Sequence, residues 1–304
     1  MNNPNERTSS ENGIYLSIYS SPSTNAEAAA KELAELRESV RPFTSAKSVK
    51  QCGRKLTVVK TTGGKREPKE ITYFCKNKHV CPVCMSYAYS QLAKKLTKLL
   101  DNWMDSRGSV YTQTFTLPNR PKSLAYKYKD IVSTWGYMVG TKAFQQLKKE
   151  FGLSQYFRVT EEVLDGKNSF PHFHLTWFFS SHLSSHQMAD FCQQVADLWV
   201  LAANRQGIRG TQSIQQWSGP VRFGNQSYAR YLTKHGYLEL SFTPEDWLRT
   251  PGRLKPLDFL RVFVKTGDIT MCDTWAQYEH ATAGKQRFRA SSKFDWLPNP
   301  KKVS

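Results

Sequence analysis

The sequence predicts an α+β fold: an antiparallel β-sheet core with flanking helices, plus a cysteine-rich segment with zinc-ligand spacing. Three observations predict it. Strand-like and helix-like stretches do not alternate in the regular βαβ order of a doubly wound sheet. Two β-rich runs, Tyr156–Leu164 and Phe170–Phe179, flank Asp165-Gly166-Lys167-Asn168, the composition of a hairpin with a loop of several residues. Four of the six cysteines, at 52, 75, 81 and 84, crowd into one third of the chain. At 304 residues the chain is long enough to bury a real core, as about two average domains or one larger domain with appendages.

The elements follow in order. Residues 1 to 27 are rich in Asn, Ser, Pro and Glu, with little periodicity and no secretory apolar run, and read as a mobile tail. Ala28–Val40 is Ala-, Leu- and Glu-rich and is soon followed by Pro42, a helix with its stop. Residues 46–84 hold the cysteines among basic residues and the turn Thr62-Gly63-Gly64, and Met85–Trp103 places Leu92, Leu96 and Leu99 at helical spacing. Ser109–Leu117 alternates in β-formers until Pro118-Asn119 ends it, and 122–150 reads as helical. After the hairpin come a helix over Ser184–Asn204, a strand near Val221, and a helix from Gln226 to His235 stopped by Gly236. The expected division is a tail and short helix at 1–45, a cysteine-rich segment and helix at 46–105, a sheet domain at 106–240, and a C-terminal extension at 241–304.

Charge narrows the partner. The chain carries 43 Lys and Arg against 25 Asp and Glu, a net charge of +18, which points to a polyanion. Aromatic residues make up 13%, including 8 Trp and 14 Tyr, so this is a folded protein with flat surfaces for core packing or for bases and not a disordered basic tail. No run approaches the roughly 18 apolar residues of a spanning helix, so no membrane partner is expected. With clustered cysteines and no export signal, the expected setting is soluble and cytoplasmic, where a disulfide scaffold is disfavoured.

In FCKNKHVCPVC, Cys81 and Cys84 form a Cys-x-x-Cys turn that puts two thiolates on one side of a tight loop. With Cys52 and Cys75 they supply four ligands suited to tetrahedral Zn²⁺, and His79 is an alternative for one of them. A redox dithiol is the rival reading, disfavoured because it needs no upstream cysteines. Cys192 and Cys272 stand alone and read as packed thiols.

His172 and His174, in PHFHLTWFF, are two apart on a strand, so both imidazoles project to one face. The preceding strand, FRVTEEV, brings Glu161 and Glu162 across the hairpin. Alternation puts one of the two on the histidine face, and sequence without register leaves open which. Two imidazoles and a carboxylate would hold a divalent ion and leave positions for phosphate oxygens. Paired surface or core histidines are the bland alternative. Further on, YARYLTKHG spaces Tyr228, Tyr231 and Lys234 by three, along one helix face. A tyrosine hydroxyl, with an ordinary pKa of about 10, needs a nearby cation to react at neutral pH; core packing with a solvated Lys is the alternative.

Taken in order, these pieces resemble the plasmid rolling-circle replication initiator proteins of the HUH endonuclease superfamily. FCKNKHVCPVC is similar to that family's cysteine-rich segment, YTQTFTLPN to its first strand motif, RVTEEV and PHFHLTWFF to its Arg-x-x-Glu strand and metal motif, and ARYLTK to its nucleophile motif. WAQYEHATAGKQR is similar to a C-terminal segment of the family. The resemblance extends from Cys75 to Trp296. It implies an HUH-type sheet and attack by Tyr231 on origin DNA that is single-stranded at the nick. The products would be a 5′-phosphotyrosine link, later rejoined, and a 3′-hydroxyl for a host polymerase working with a host helicase. It implies Mg²⁺ or Mn²⁺ held by His172, His174 and Glu161, the last preferred over Glu162 by the Arg-x-x-Glu spacing, with Lys234 offsetting charge. Some relatives carry a glutamate four residues before the nucleophile, where this chain has Ser227; Tyr228 is then either a second nucleophile or a packing residue. A transposase or relaxase with the same chemistry, and a zinc-containing DNA-binding protein without catalysis, are the competing readings.

Overall fold

The structure, a computed structural model, describes residues 24–62, 65–105, 108–165, 168–213, 218–220, 255–291 and 294. The chain divides into two compact units that interleave in sequence: residues up to Gln91 fold with Leu257–Glu279, and Leu92 onward folds with the residues from His280. A mixed set of helices and antiparallel strands results, an α+β fold.

In the first unit, helix α1 (Thr24–Val40) buries Leu33, Leu36 and Val40 at helical spacing. Helix α2 (Lys47–Gln51) leads into strands β1 (Lys55–Thr62) and β2 (Lys65–Thr72), which form a separate two-stranded antiparallel sheet. Helix α3 (Pro82–Asp105) begins here, with Pro82 at a first-turn position where its missing N–H is not needed. From the far end of the chain come helices α7 (Pro256–Thr266) and α8 (Thr270–Thr282), in a stretch where local pattern suggested no element. They bury Leu257, Phe259, Leu260, Trp275 and Tyr278. The Glu279 carboxylate, almost fully buried, accepts from the hydroxyls of Thr44 and Ser45 and from the Ala46 N–H, so its charge is matched by donors. Arg261 bridges Asp258 at 3.0 Å and Glu32 at 2.6 Å.

The second unit is built on a five-stranded sheet in the order β6-β3-β5-β4-β7, every neighbour pair antiparallel: β3 (Ser109–Phe115), β4 (Leu153–Asp165), β5 (Asn168–Phe179), β6 (Ser218–Pro220) and β7 (Phe288–Ala290). The β4–β5 hairpin closes more tightly than its composition suggests, with Asp165 paired to Asn168. The predicted helix over 122–150 is two helices, α4 (Leu124–Gly140) and α5 (Lys142–Glu150); Thr141 separates them and its side chain accepts from the Phe144 N–H as the N-cap of the second. Helix α6 (Ser185–Arg205) starts with a capping box between Ser184 and Gln187.

Both faces of this sheet are covered. Phe115, Phe173, Leu175 and Trp177 on one face pack with Ile131, Trp135, Phe191, Val195 and Trp199 of α4 and α6. Val110, Phe157, Val159 and Phe178 on the other pack with Leu96, Leu99, Leu100 and Trp103 of α3. Three buried indoles of this unit are satisfied: Trp103 donates to the Phe179 carbonyl, Trp199 to that of Thr116, and Trp177 to Gln113 Oε1. At Gly108 a Cβ would lie 2.3 Å from the Trp103 indole nitrogen, so a side chain there would displace the ring that seals this face. Among the described residues no helix is long and apolar enough to cross a membrane.

Candidate metal centres

The first centre lies around the base of the β1–β2 sheet. Cys52 caps the C-terminal end of α2, Cys75 follows β2, and Cys81 and Cys84 open α3. Their four Sγ atoms lie within 4.8 Å of one another, with Cys81–Cys52 at 3.5 Å and Cys52–Cys84 and Cys75–Cys84 at 3.7 Å. Four thiolates at about 2.3 Å from a tetrahedral zinc stand about 3.8 Å apart, so the donor set and spacing fit that ion. The loop is held from outside the ligands. Asn77 Oδ1 accepts from the N–H groups of His79 and Val80, the Asn77 N–H reaches Cys75 Sγ at 3.5 Å, and the Arg41 guanidinium donates to the carbonyls of Lys50 and Cys52. Gly53, at φ +79°, makes the turn from Cys52 into β1. His79, the alternative ligand, is not in the four-sulfur group; its carbonyl accepts from the Tyr278 hydroxyl. Hydrogen bonds from Cys75, Cys81 and Cys84 hold the Cys52 thiol far below the ordinary range, and those with Cys52, together with burial, push Cys81 and Cys84 up. Four thiols this close cannot all ionise without a cation among them.

The second centre is on the sheet of the second unit. The β4–β5 register pairs Glu161 with His172 and Val159 with His174, which puts Glu161, His172 and His174 on one face. Glu161 Oε2 lies 3.0 Å from His172 Nε2, and the two Nε2 atoms are 3.1 Å apart. Glu161 Oε2 also meets His174 Nε2, so each of the three atoms contacts both others. Each imidazole has at most one Nε2 proton, and mutual hydrogen bonding serves such a triangle poorly, whereas one cation meets all three lone pairs. Two imidazole nitrogens and one carboxylate oxygen are a donor set that could hold one divalent ion and would leave positions on it for other ligands. Glu161 and His174 are almost fully buried, with His172 slightly more exposed. The Thr114 hydroxyl, on β3 opposite His174, lies 3.0 Å from its Nδ1 and fixes the ring; when Nδ1–H donates to it, Nε2 keeps a lone pair.

Glu162 is not brought to the histidines. It lies on the opposite face, fully buried, and pairs with Arg287 at 3.1 Å. Arg287 also donates from Nε to the Thr160 carbonyl, while its own carbonyl accepts the Thr160 N–H. The backbone just before Glu161 is therefore clamped from the C-terminal segment. Arg158 also takes the other face, its guanidinium 4.0 Å from the Phe173 ring centroid, and burial pushes its pKa down to about 10. Tyr228, Tyr231 and Lys234, with Ser227, lie outside the described residues. Cys192 and Cys272 are buried thiols apart from both groups.

Two residues that shape the site, Thr114 and Arg287, were not evident in the sequence. Thr114 had a signal, since it stands in an alternating strand, but its partner depends on a register that no local pattern reveals. Arg287 had none, because it acts through a contact more than a hundred positions away in the chain. Comparison with models of known families, with curated proteins and with solved structures finds no match.

Proposed function

We propose that the chain is a metal-dependent tyrosine endonuclease and strand transferase that nicks one strand at an origin and starts rolling-circle replication. The convergence of Glu161 Oε2 with the Nε2 atoms of His172 and His174 on one face of the sheet carries this reading. The net charge of +18 and the ordered resemblance of the motifs support it.

A Mg²⁺ or Mn²⁺ ion held there supplies Lewis-acid polarisation of the scissile phosphate. The residues of the chain do the rest. Glu161, His172 and His174 would hold the ion, and Thr114 fixes the His174 ring through Nδ1. Tyr231 loses its proton and its oxygen bonds to phosphorus; the bond from phosphorus to the 3′-oxygen breaks, and that oxygen leaves as a hydroxyl after taking up a proton. Lys234 offsets the charge that develops. The new phosphotyrosine retains the energy of the broken phosphodiester, so a 3′-hydroxyl can reverse the reaction and rejoin the strand. The Cys52, Cys75, Cys81, Cys84 group holds structural Zn²⁺ in this reading.

The test is incubation of the zinc-loaded full chain with labelled single-stranded origin DNA and Mn²⁺. A denaturation-resistant protein–DNA adduct is expected in the parent and not in Tyr231→Phe. No adduct in the parent would favour a non-catalytic DNA-binding protein, and an adduct in Tyr231→Phe would remove the nucleophile assignment.

A further inference from the structure

The β1–β2 ribbon has no evident task in the core of its unit. Among the described residues its strands pair only with each other, from Lys55 opposite Thr72 to Thr62 opposite Lys65. Arg54 just before the first strand, Lys55, Leu56 and Thr57 on it, and Pro68, Lys69 and Glu70 on the other are exposed, and Val58, Ile71 and Thr72 are only half-buried. Lone two-stranded sheets are marginal in water, so the ribbon depends on its anchorage. That anchorage is clear at its base: the Gly53 N–H donates to the Tyr73 carbonyl, the Tyr73 N–H to the Arg54 carbonyl, and Cys52 and Cys75 of the four-sulfur group stand immediately outside these bonds. A metal clip there closes the whole excursion from Cys52 to Cys75.

From Arg54 to Thr72 the sequence has six basic residues, Arg54, Lys55, Lys60, Lys65, Arg66 and Lys69, against Glu67 and Glu70, a net +4 in 19 residues. Charges and a proline also protect exposed edges from pairing with other chains, which accounts for Pro68 and some of the lysines. Edge protection does not explain why a ribbon with so many exposed residues is built at all and clipped at its base. At about 3.4 Å per residue, eight-residue strands reach about 27 Å, and the B-DNA major groove, about 12 Å wide, admits a two-stranded ribbon.

We infer that β1–β2 is a duplex-DNA reader, anchored by the four-cysteine site, that enters the major groove and supplies origin binding separately from strand cleavage. This rests on the DNA-processing reading above. The net +4 of the segment supplies attraction to phosphates, Lys55 being paired with Glu70 at 2.7 Å, and exposed side chains such as Thr57 meet base edges.

The test is fluorescence anisotropy of the zinc-loaded full chain on a labelled mixed-sequence DNA duplex across a salt series. Replacing Lys60, Lys65, Arg66 and Lys69 together with Gln is expected to weaken duplex binding about tenfold or more and to lower the log–log salt slope by about 0.9 for each phosphate no longer neutralised. Zinc content should stay at parent level, and Mn²⁺-dependent cleavage of single strands should be unchanged. The same four positions as all-Arg should keep the parent slope, separating charge loss from misfolding. An unchanged slope in the Gln variant would overturn the inference. Equal affinity for an RNA duplex of the same sequence would also overturn it, because the A-form major groove is too deep and narrow for a ribbon. A parent that shows no single-strand cleavage yet binds duplex through these four residues would sink the nicking reading while supporting this one.

Discussion

The four-cysteine group and the Glu161, His172, His174 group differ in what they leave over. Four thiolates around a tetrahedral ion complete its coordination with protein, so such an ion can only hold chain segments together. One carboxylate and two imidazoles supply only three ligands, so an ion held there would have places that substrate oxygens could take. Their assembly differs too. Cys75, Cys81 and Cys84 are gathered by a short loop with its own hydrogen bonds, while Glu161 and His172 meet only because strand register sets them opposite each other. A closed centre built by local turns suits structure, and an open centre built on a rigid sheet suits chemistry.

The largest expected effect falls on the closed centre. Under the proposed zinc assignment, Cys84→Ser should abolish zinc binding, whose gross contribution in small zinc domains is about 10–16 kcal/mol, and should leave 52–84 unprotected in hydrogen exchange. Metal analysis still finding the parent zinc content would show that these sulfurs do not hold it. Next is the clamp behind the open centre. Arg287→Met leaves the Glu162 carboxylate without its buried cation, which should cost about 3–5 kcal/mol in urea unfolding. Replacing Glu162 with Met as well should recover much of that loss, since the pair is then exchanged for apolar volume. A single-variant loss of under about 1 kcal/mol would mean the pair does not secure β4. The smallest effect is at Thr114. Thr114→Val keeps the shape of the side chain but removes the oxygen beside His174 Nδ1, and Mn²⁺ affinity should fall about 10–100-fold with zinc content unchanged. Unaltered affinity would show that the His174 ring is held by packing alone.

Much of this contrast was legible in the sequence. The cysteine spacing and the His-x-His strand each carry a local pattern that reports chemistry directly. Main helices and strands followed from periodicity, as Met85–Trp103 and Ser184–Asn204 illustrate against α3 and α6. Three features were beyond it. Choosing Glu161 over Glu162 by residue pattern alone needed the β4–β5 register, since adjacent strand residues face opposite ways. The β1–β2 ribbon was hidden because its lysines and Pro68 read as loop, and only pairing to a partner strand makes such a sequence extended. The return of the C-terminal segment to both units, with Glu279 against Thr44 and Arg287 against Thr160, is long-range packing that no window of sequence contains. The strand predicted near Val221 corresponds to β6 at Ser218–Pro220, and the helix predicted at 226–235 falls on residues outside those described.

The most direct test of the open centre is a Mn²⁺ titration of zinc-loaded protein, followed by electron paramagnetic resonance, in the parent and in His174→Ala. One Mn²⁺ site beyond the zinc, with nitrogen coupling, is expected in the parent and should be lost in the variant while zinc content is unchanged. A parent that binds no Mn²⁺, or a variant that binds it equally well, would contradict the proposal that Glu161, His172 and His174 form a metal centre for DNA cleavage.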